Sequence, residues 1–189
     1  MKVPSGVEQR LVKRLQDGEK TAAREFYTLY ADYLAGICSR YIADEDDLKD
    51  AFQDAFIHIL THIADFQYRG EGSLKSWAAK VTVNQSLKFL RTKGKLQQVH
   101  QAIEVPDETE EDDPPLNDIT PDDLRNLLSR LPTGYRAVLN LYVFEGKSHQ
   151  EIALLLGIKE DSSASQLHRA KNLLAKMIKE YKHKTHDHE

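Results

Sequence analysis

The chain has 189 residues, 40% hydrophobic and 30% charged, with a formal net charge of -4, which is globular material and excludes collagenous, low-complexity and disulfide-dense scaffolds. Only 9 glycines and 6 prolines interrupt a background rich in helix formers, so an all-α fold is expected rather than one built from many strands and tight turns. The start, MKVPSGVEQR, lacks an apolar signal core and no apolar run approaches the ~18 residues of a membrane span, so a cytoplasmic protein without membrane insertion is expected.

In chain order, VEQRLVKRLQ (7–16) reads as a short helix with Gly18 as its stop. A longer helix follows, carrying Ala22, Phe26, Leu29, Tyr30, Tyr33, Leu34, Ile37 and Tyr41 at helical spacing. Cys38, the single cysteine, falls in this stretch and reads as a small buried hydrophobe of a reducing compartment. Asp44 is the expected N-cap of a third helix through Leu48, Ala51, Phe52, Ala55, Phe56, Ile59, Leu60 and Ile63. After the loop DFQYRGEGS, Ser73 is the expected cap of a fourth helix through Trp77, Val81, Asn84, Leu87 and Leu90.

Residues 96–119 then form an acidic connector with no apolar periodicity, which reads as a flexible linker. Beyond it Thr120 and Pro121 start a helix as N-cap and first residue. Breaks at Pro132, Gly146 and Gly157 divide the remainder into four helices, the last running from about Ser162 to Lys182. The expected architecture is therefore two small helical domains, 1–95 and 120–182, joined by the linker, with a disordered tail over 183–189.

Charge is segregated along this layout. Residues 1–95 hold 15 Lys and Arg against 13 Asp and Glu, residues 96–123 hold none against 10, and residues 124–189 hold 11 against 7. A chain that is acidic overall can thus present one face to phosphates and another to a basic partner.

Two motifs carry chemistry. In KSHQEIALLLGIKEDSSASQLHRAKNLLAKMI, Ser148 caps one helix, Gly157 supplies a left-handed turn and a second helix starts within a few residues, a helix-turn-helix. At 100° per residue, Leu167, Ala170, Leu174, Met177 and Tyr181 form the expected buried stripe. The opposite face presents Ser162, Ser165, Gln166, Arg169, Asn172 and Lys176, groups that can reach base edges and phosphates from the major groove. In DFQYRGEGSLKSWAAKVTVNQSLKFLRTKGK, Phe66, Tyr68 and Trp77 can stack on unpaired bases, and Gly70 and Gly72 permit close backbone approach. Lys80, Asn84, Lys88 and Arg91 follow along one side of a helix.

With these motifs in this order, the chain from Leu11 to about Tyr181 resembles the extracytoplasmic-function sigma factors, the small two-domain class of bacterial sigma-70-type initiation factors. DDLKDAFQDAFIHIL is similar to the family's polymerase-binding helix, YRGEGSLKSWAAKVTVNQSLKFLR to its promoter-melting loop and minus-10 reading helix, and LLSRLPTGYRAVLNLYVFEGKSHQEIALLLGIKEDSSASQLHRAK to its minus-35 domain. The resemblance implies a docking face of Asp50, Gln53, Asp54 and Phe56 for a basic helical element of the polymerase clamp. It adds Arg69 and Ser73 to the minus-10 surface of Phe66, Tyr68, Trp77, Lys80, Asn84, Lys88 and Arg91. In the minus-35 domain Arg169 and Lys171 match the family's basic pair. Two departures stand out: Lys88 replaces an Asp common in the family, and Asp161 to Ala164 replace a Gly-Thr opening followed by a cation. The implied partners are core RNA polymerase, promoter DNA (double-stranded at minus-35, single-stranded at minus-10) and, in many members, an anti-sigma factor. No cofactor, metal or catalytic residue is implied, because the polymerase supplies the catalysis.

Two other readings explain less. A stand-alone helix-turn-helix regulator accounts for 120–182 and leaves the acidic helix and aromatic loop unexplained. A helical metalloenzyme could start from His58 and His62 with Asp54 and Asp65 near, but HILTH lacks the glutamate of HExxH. His183, His186 and His188 of the tail could take up adventitious metal.

Overall fold

The computed structural model describes residues 6–96 and 119–186, with side chains to His183. The linker expected over 96–119 falls almost wholly outside the described residues, as do His188 and the end of the tail. The chain divides into two compact units between Phe89 and Leu90, and every regular element among the described residues is helical.

The first unit holds α1 (Val7–Gln16), α2 (Lys20–Tyr41), α3 (Glu45–His62), a single 3-10 turn (Ile63–Asp65) and α4 (Ser73–Thr92). As expected, the Asp44 carboxylate caps α3, accepting from the Asp47 N–H at 2.9 Å, with Glu45, Asp46 and Asp47 in the first turn where the helix dipole favours acids. Leu11, Val12 and Leu15 of α1, Phe26, Tyr30, Leu34, Ile37, Cys38 and Tyr41 of α2, Ala51, Ala55 and Ile59 of α3, and Leu74, Ala78 and Leu87 of α4 make the core. Each large apolar side chain so buried stabilises the unit by about 1.5–3 kcal/mol. Tyr33, expected on the inward stripe of α2, is instead exposed and carries the Lys75 ammonium 4.1 Å from its ring centre, a cation–π contact with α4. Burial pushes the Cys38 thiol up, and the Ser86 hydroxyl donates to its sulfur at 3.5 Å.

The N-terminus of α4 differs from expectation. Ser73 does not cap it: Ser73 is its first residue, and its hydroxyl accepts from the Arg69 N–H at 3.2 Å. The cap comes from α1, where the Glu8 carboxylate accepts from the N–H groups of Gly72 and Leu74, both at 3.0 Å.

In the second unit, α5 (Pro121–Ser129), α6 (Thr133–Val143) and α7 (His149–Leu156) all pack on α8 (Glu160–His186). Thr120 caps α5 with Pro121 behind it. Arg136 is buried inside this unit: its guanidinium donates to the Ser129 carbonyl at 2.6 Å and the Leu131 carbonyl at 3.4 Å, holding the α5–α6 corner. Burial lowers its pKa to about 10, so it remains a cation at neutral pH. α8 starts at Glu160 and continues to His186, two residues earlier than expected and four residues past Lys182.

Candidate polymerase and nucleic-acid interface

α3 presents an acidic face because its buried residues, Ala51, Ala55 and Ile59, repeat every four positions and turn the opposite side outward. Asp50, Gln53 and Asp54 are all exposed there. Phe56 does not join them. Its half-buried ring lies 5.7 Å from Phe26, 5.3 Å from Tyr27 and 6.2 Å from Phe52, so aromatic packing against α2 takes it from the docking face. The apolar side chain that does stand among the acids is Ile57, 52% exposed. Period alone points to it, since 50, 53, 54 and 57 share one side of a helix.

Behind α3, the loop between the 3-10 turn and α4 brings the aromatic residues together unequally. Phe66 is only 8% exposed, its ring 5.0 Å from Trp77. That burial corrects its expected place on the stacking surface: Phe66 is the floor under Trp77. Trp77 and Tyr68 are half-buried, and Arg69 is exposed. The Tyr68 hydroxyl is held above its ordinary pKa by burial and then by the Glu8 and Glu71 carboxylates. Gly70 and Gly72 adopt φ of 114° and 82°, and a Cβ at either would meet nothing within 4 Å. Within the chain their use is therefore the left-handed backbone.

Along α4 the buried positions Leu74, Ala78, Thr82, Val83, Ser86, Leu87 and Leu90 leave open a strip of about 140° at 100° per residue. Ser73, Trp77, Lys80, Asn84, Lys88 and Arg91 all project within that strip; Lys80, Asn84, Lys88 and Arg91 are exposed, Ser73 and Trp77 partly so. The chain's one tryptophan thus stands in line with three cations. His58 and His62 of α3 have ring centres 3.9 Å apart, and burial, His62 and Lys88 lower the His58 pKa. His62 Nδ1 lies 2.9 Å from the His58 carbonyl of its own helix. Among the described residues no group of three or more His, Cys, Asp or Glu side chains is placed to hold a metal ion.

In the second unit a reciprocal capping box starts α7: the Ser148 hydroxyl accepts from the Glu151 N–H and the Glu151 carboxylate from the Ser148 N–H. The Lys147 ammonium at 2.7 Å, followed by the Ser148 N–H, holds the Glu151 carboxyl down at about 2. Gly157 turns the chain at φ 69°, a conformation costly for other residues. His149 then links three helices, its ring stacked on Tyr142 of α6 at 5.1 Å and its Nδ1 3.0 Å from the buried Ser163 hydroxyl of α8.

Ser165, Arg169, Lys171 and Lys176 are exposed on α8 and Ser162 and Asn172 partly so. Gln166 is 8% exposed and belongs to the buried side. Gln166 lies beside Met177 on the buried stripe of Ser163, Leu167, Ala170, Met177 and Ile178, while Leu174 and Tyr181, expected in that stripe, are partly exposed. His168, missed in the sequence, is exposed beside the residues expected to face DNA, with its Nε2 3.1 Å from Asn172 Nδ2. Exposed apolar side chains also escaped that reading: Val143 and Phe144 at the end of α6, and Leu154 of α7, 80% exposed.

Comparison with known proteins bears on both units. Residues 26–96 match the family described as Sigma-70 region 2, and residues 122–174 that described as Sigma-70, region 4. The chain is 25% identical over 182 residues to the ECF RNA polymerase sigma-E factor of Haemophilus influenzae, covering 90% of this chain and 95% of that protein. It is 25% identical to the RNA polymerase sigma-H factor of Pseudomonas aeruginosa, covering 90% and 93%, and 25% identical to the ECF RNA polymerase sigma-E factor of Escherichia coli K12, covering 88% and 92%. Regions 2 and 4 in that order on this chain, together with sigma-factor relatives that share nearly their whole length with it, make this chain a member of the sigma-70 family of RNA polymerase sigma factors, of the extracytoplasmic-function class.

Proposed function

We propose that the first unit docks on core polymerase through Asp50, Gln53, Asp54 and the neighbouring Ile57 of α3, and captures the opened minus-10 strand with Tyr68, Arg69, Trp77, Lys80, Asn84, Lys88 and Arg91. The second unit reads the minus-35 duplex with α8, through Ser162, Ser165, Arg169, Lys171, Asn172 and Lys176. On this reading 1–95 and 120–182 are the functional domains, 96–119 is the tether, and the protein is a cytoplasmic initiation factor with no catalytic group of its own. The observation that carries it is the open strip of α4: stacking on an aromatic face contributes about 1–3 kcal/mol per base, and here that face is flanked by cations that meet the phosphates of the same strand.

The test is a set of holoenzyme reconstitutions. Asp50→Lys with Asp54→Lys should abolish co-purification with core polymerase while leaving the helical circular dichroism signal intact, since both residues are exposed. Lys80→Ala with Arg91→Ala should leave co-purification normal and slow promoter opening. Unchanged polymerase affinity in the first variant refutes the docking face, and normal opening by the second refutes the strand-capture strip.

A further inference from the structure

α1 lies outside both stretches matched to the sigma-70 regions, which begin at residue 26, yet it makes polar contacts with residues 47 to 66 positions further along the chain. At its C-terminal end Gln16 Nε2 donates to the carbonyls of Ile63 at 3.1 Å and Phe66 at 2.9 Å. At its N-terminal end the Glu8 carboxylate, on a residue 3% exposed, accepts from the N–H groups of Gly72 and Leu74 and, at 3.4 Å, from the Tyr30 hydroxyl. The two residues stand about 12 Å apart along one helix. They grip the two ends of one segment, and between the grips lies 67–71, the stretch that carries Tyr68 and Arg69.

We propose that α1 is a splint for this loop, with Glu8 and Gln16 as positioning residues that hold Tyr68 and Arg69 where an unpaired strand meets them. The proposal rests on the strand-capture role given to the loop above. Its physical basis is the backbone: 67–72 lies outside the helices, bonded forward only where the Gly70 and Gly72 carbonyls accept from Ser73 and Ser76 N–H and the Arg69 N–H donates to the Ser73 hydroxyl, and two glycines give it conformational freedom that must be lost before bases can bind. A loop already held at both ends has less to lose when the strand arrives. Holding it with a carboxylate suits the purpose, since ionised acceptors make stronger bonds to backbone N–H groups than neutral ones. The Tyr30 hydroxyl completes the node, and burial together with Glu8 pushes its pKa up to about 12, so it stays a donor throughout the physiological range.

Glu8→Gln is the informative change. The amide keeps the volume and can accept from one backbone N–H, but its NH2 faces the other as donor against donor. Gln16→Ala releases the opposite end without touching a buried side chain. Holoenzyme made with each full-length variant is compared on a promoter mapped with the wild-type holoenzyme, used as intact duplex and as the same sequence with a pre-opened mismatch bubble. Permanganate reactivity of unpaired thymines reads the opening.

Glu8→Gln should slow duplex opening about ten-fold, the loss of one charge-assisted bond, and Gln16→Ala should slow it less. Both should act normally on the bubble, and hydrogen exchange at Gly72 and Leu74 in the free protein should accelerate in Glu8→Gln while α2 stays protected. Equal losses on duplex and bubble, or unchanged opening by both variants, overturn the splint. Tyr68→Ala separates the proposal from its foundation: if that variant opens the duplex normally, the capture role of the loop fails and the splint with it, even though the exchange at Gly72 still accelerates in Glu8→Gln.

Discussion

Phe66→Ala tests the division between floor and stacking surface. Phe66 is 8% exposed and lies 5.0 Å from Trp77, so truncation returns nearly all of its ring area to cavity or water. A phenylalanine buries roughly 150–250 Å², which at about 25 cal/mol per Å² amounts to about 4–6 kcal/mol, overlapping the roughly 3–5 kcal/mol usual for Phe→Ala in cores. For a unit of this size each kcal/mol moves the melting temperature by about 4–8 °C, so a loss of at least ~16 °C is expected. Trp77 is the chain's single tryptophan, and its fluorescence therefore reports this one site. Thermal melts followed by circular dichroism should shift together with a red shift of Trp77 emission in the folded variant. Phe66→Leu, which keeps most of the apolar volume, should lose far less and preserves the test if the alanine variant does not fold. A melting temperature lowered by less than ~4 °C, about 1 kcal/mol, with unchanged Trp77 emission, would show that Phe66 is free to leave its packing and would return it to the stacking surface.

The second unit supports two further expectations. The Glu151 pKa is depressed to about 2, so its stabilisation is fully present above the ordinary carboxylate range near 4.5 and is lost as pH falls through 2; acid melts of wild type should decline through that window, and Glu151→Gln should flatten the decline, whereas parallel curves would show the capping box contributes nothing through its charge. Arg136→Met should lower the melting temperature, because the Ser129 and Leu131 carbonyls lose a buried donor at about 1–3 kcal/mol; an equal or higher melting temperature would show that desolvating the guanidinium costs more than its bonds return.

What could be read in the sequence was whatever depends on local pattern. The Asp44, Thr120 and Ser148 caps, the Pro132 and Gly146 breaks, the left-handed turn at Gly157 and the burial of Cys38 all follow from residues within a few positions of each other. What could not be read depends on a partner far along the chain. Ser73 looks like a cap in isolation, and only the fold brings Glu8, 64 residues before Gly72, to the amides that need one. Phe56 and Ile57 are adjacent, and nothing local says that Tyr27 and Phe26 will claim the phenylalanine and leave the isoleucine outside. Gln166 illustrates a finer limit: at 100° per residue it lies only about 20° from Met177 of the expected stripe, and a residue at that margin, read as part of the opposite face, is buried.

On the roles proposed above, the two units meet opposite physical demands by different means. Reading a duplex requires a helix presented at a fixed angle, and α8 is fixed by short-range devices: the capping box that starts α7, the Gly157 turn, and His149 bonded to Ser163 while stacked on Tyr142. Side chains on such a helix can meet base edges without reorganisation, because little freedom remains to be lost. Capturing an unpaired strand requires a surface that admits bases whose positions are not set in advance, and there the first unit uses a glycine-containing loop beside an exposed strip. A loop free at both ends would forfeit much of the stacking energy to its own ordering. Gripping its backbone from α1, rather than packing its side chains into the core, leaves Arg69 exposed and Tyr68 half-open and, on the splint we propose, lowers that cost. The long-range contacts of Glu8 and Gln16 are therefore the counterpart, in the first unit, of the local caps that orient the second.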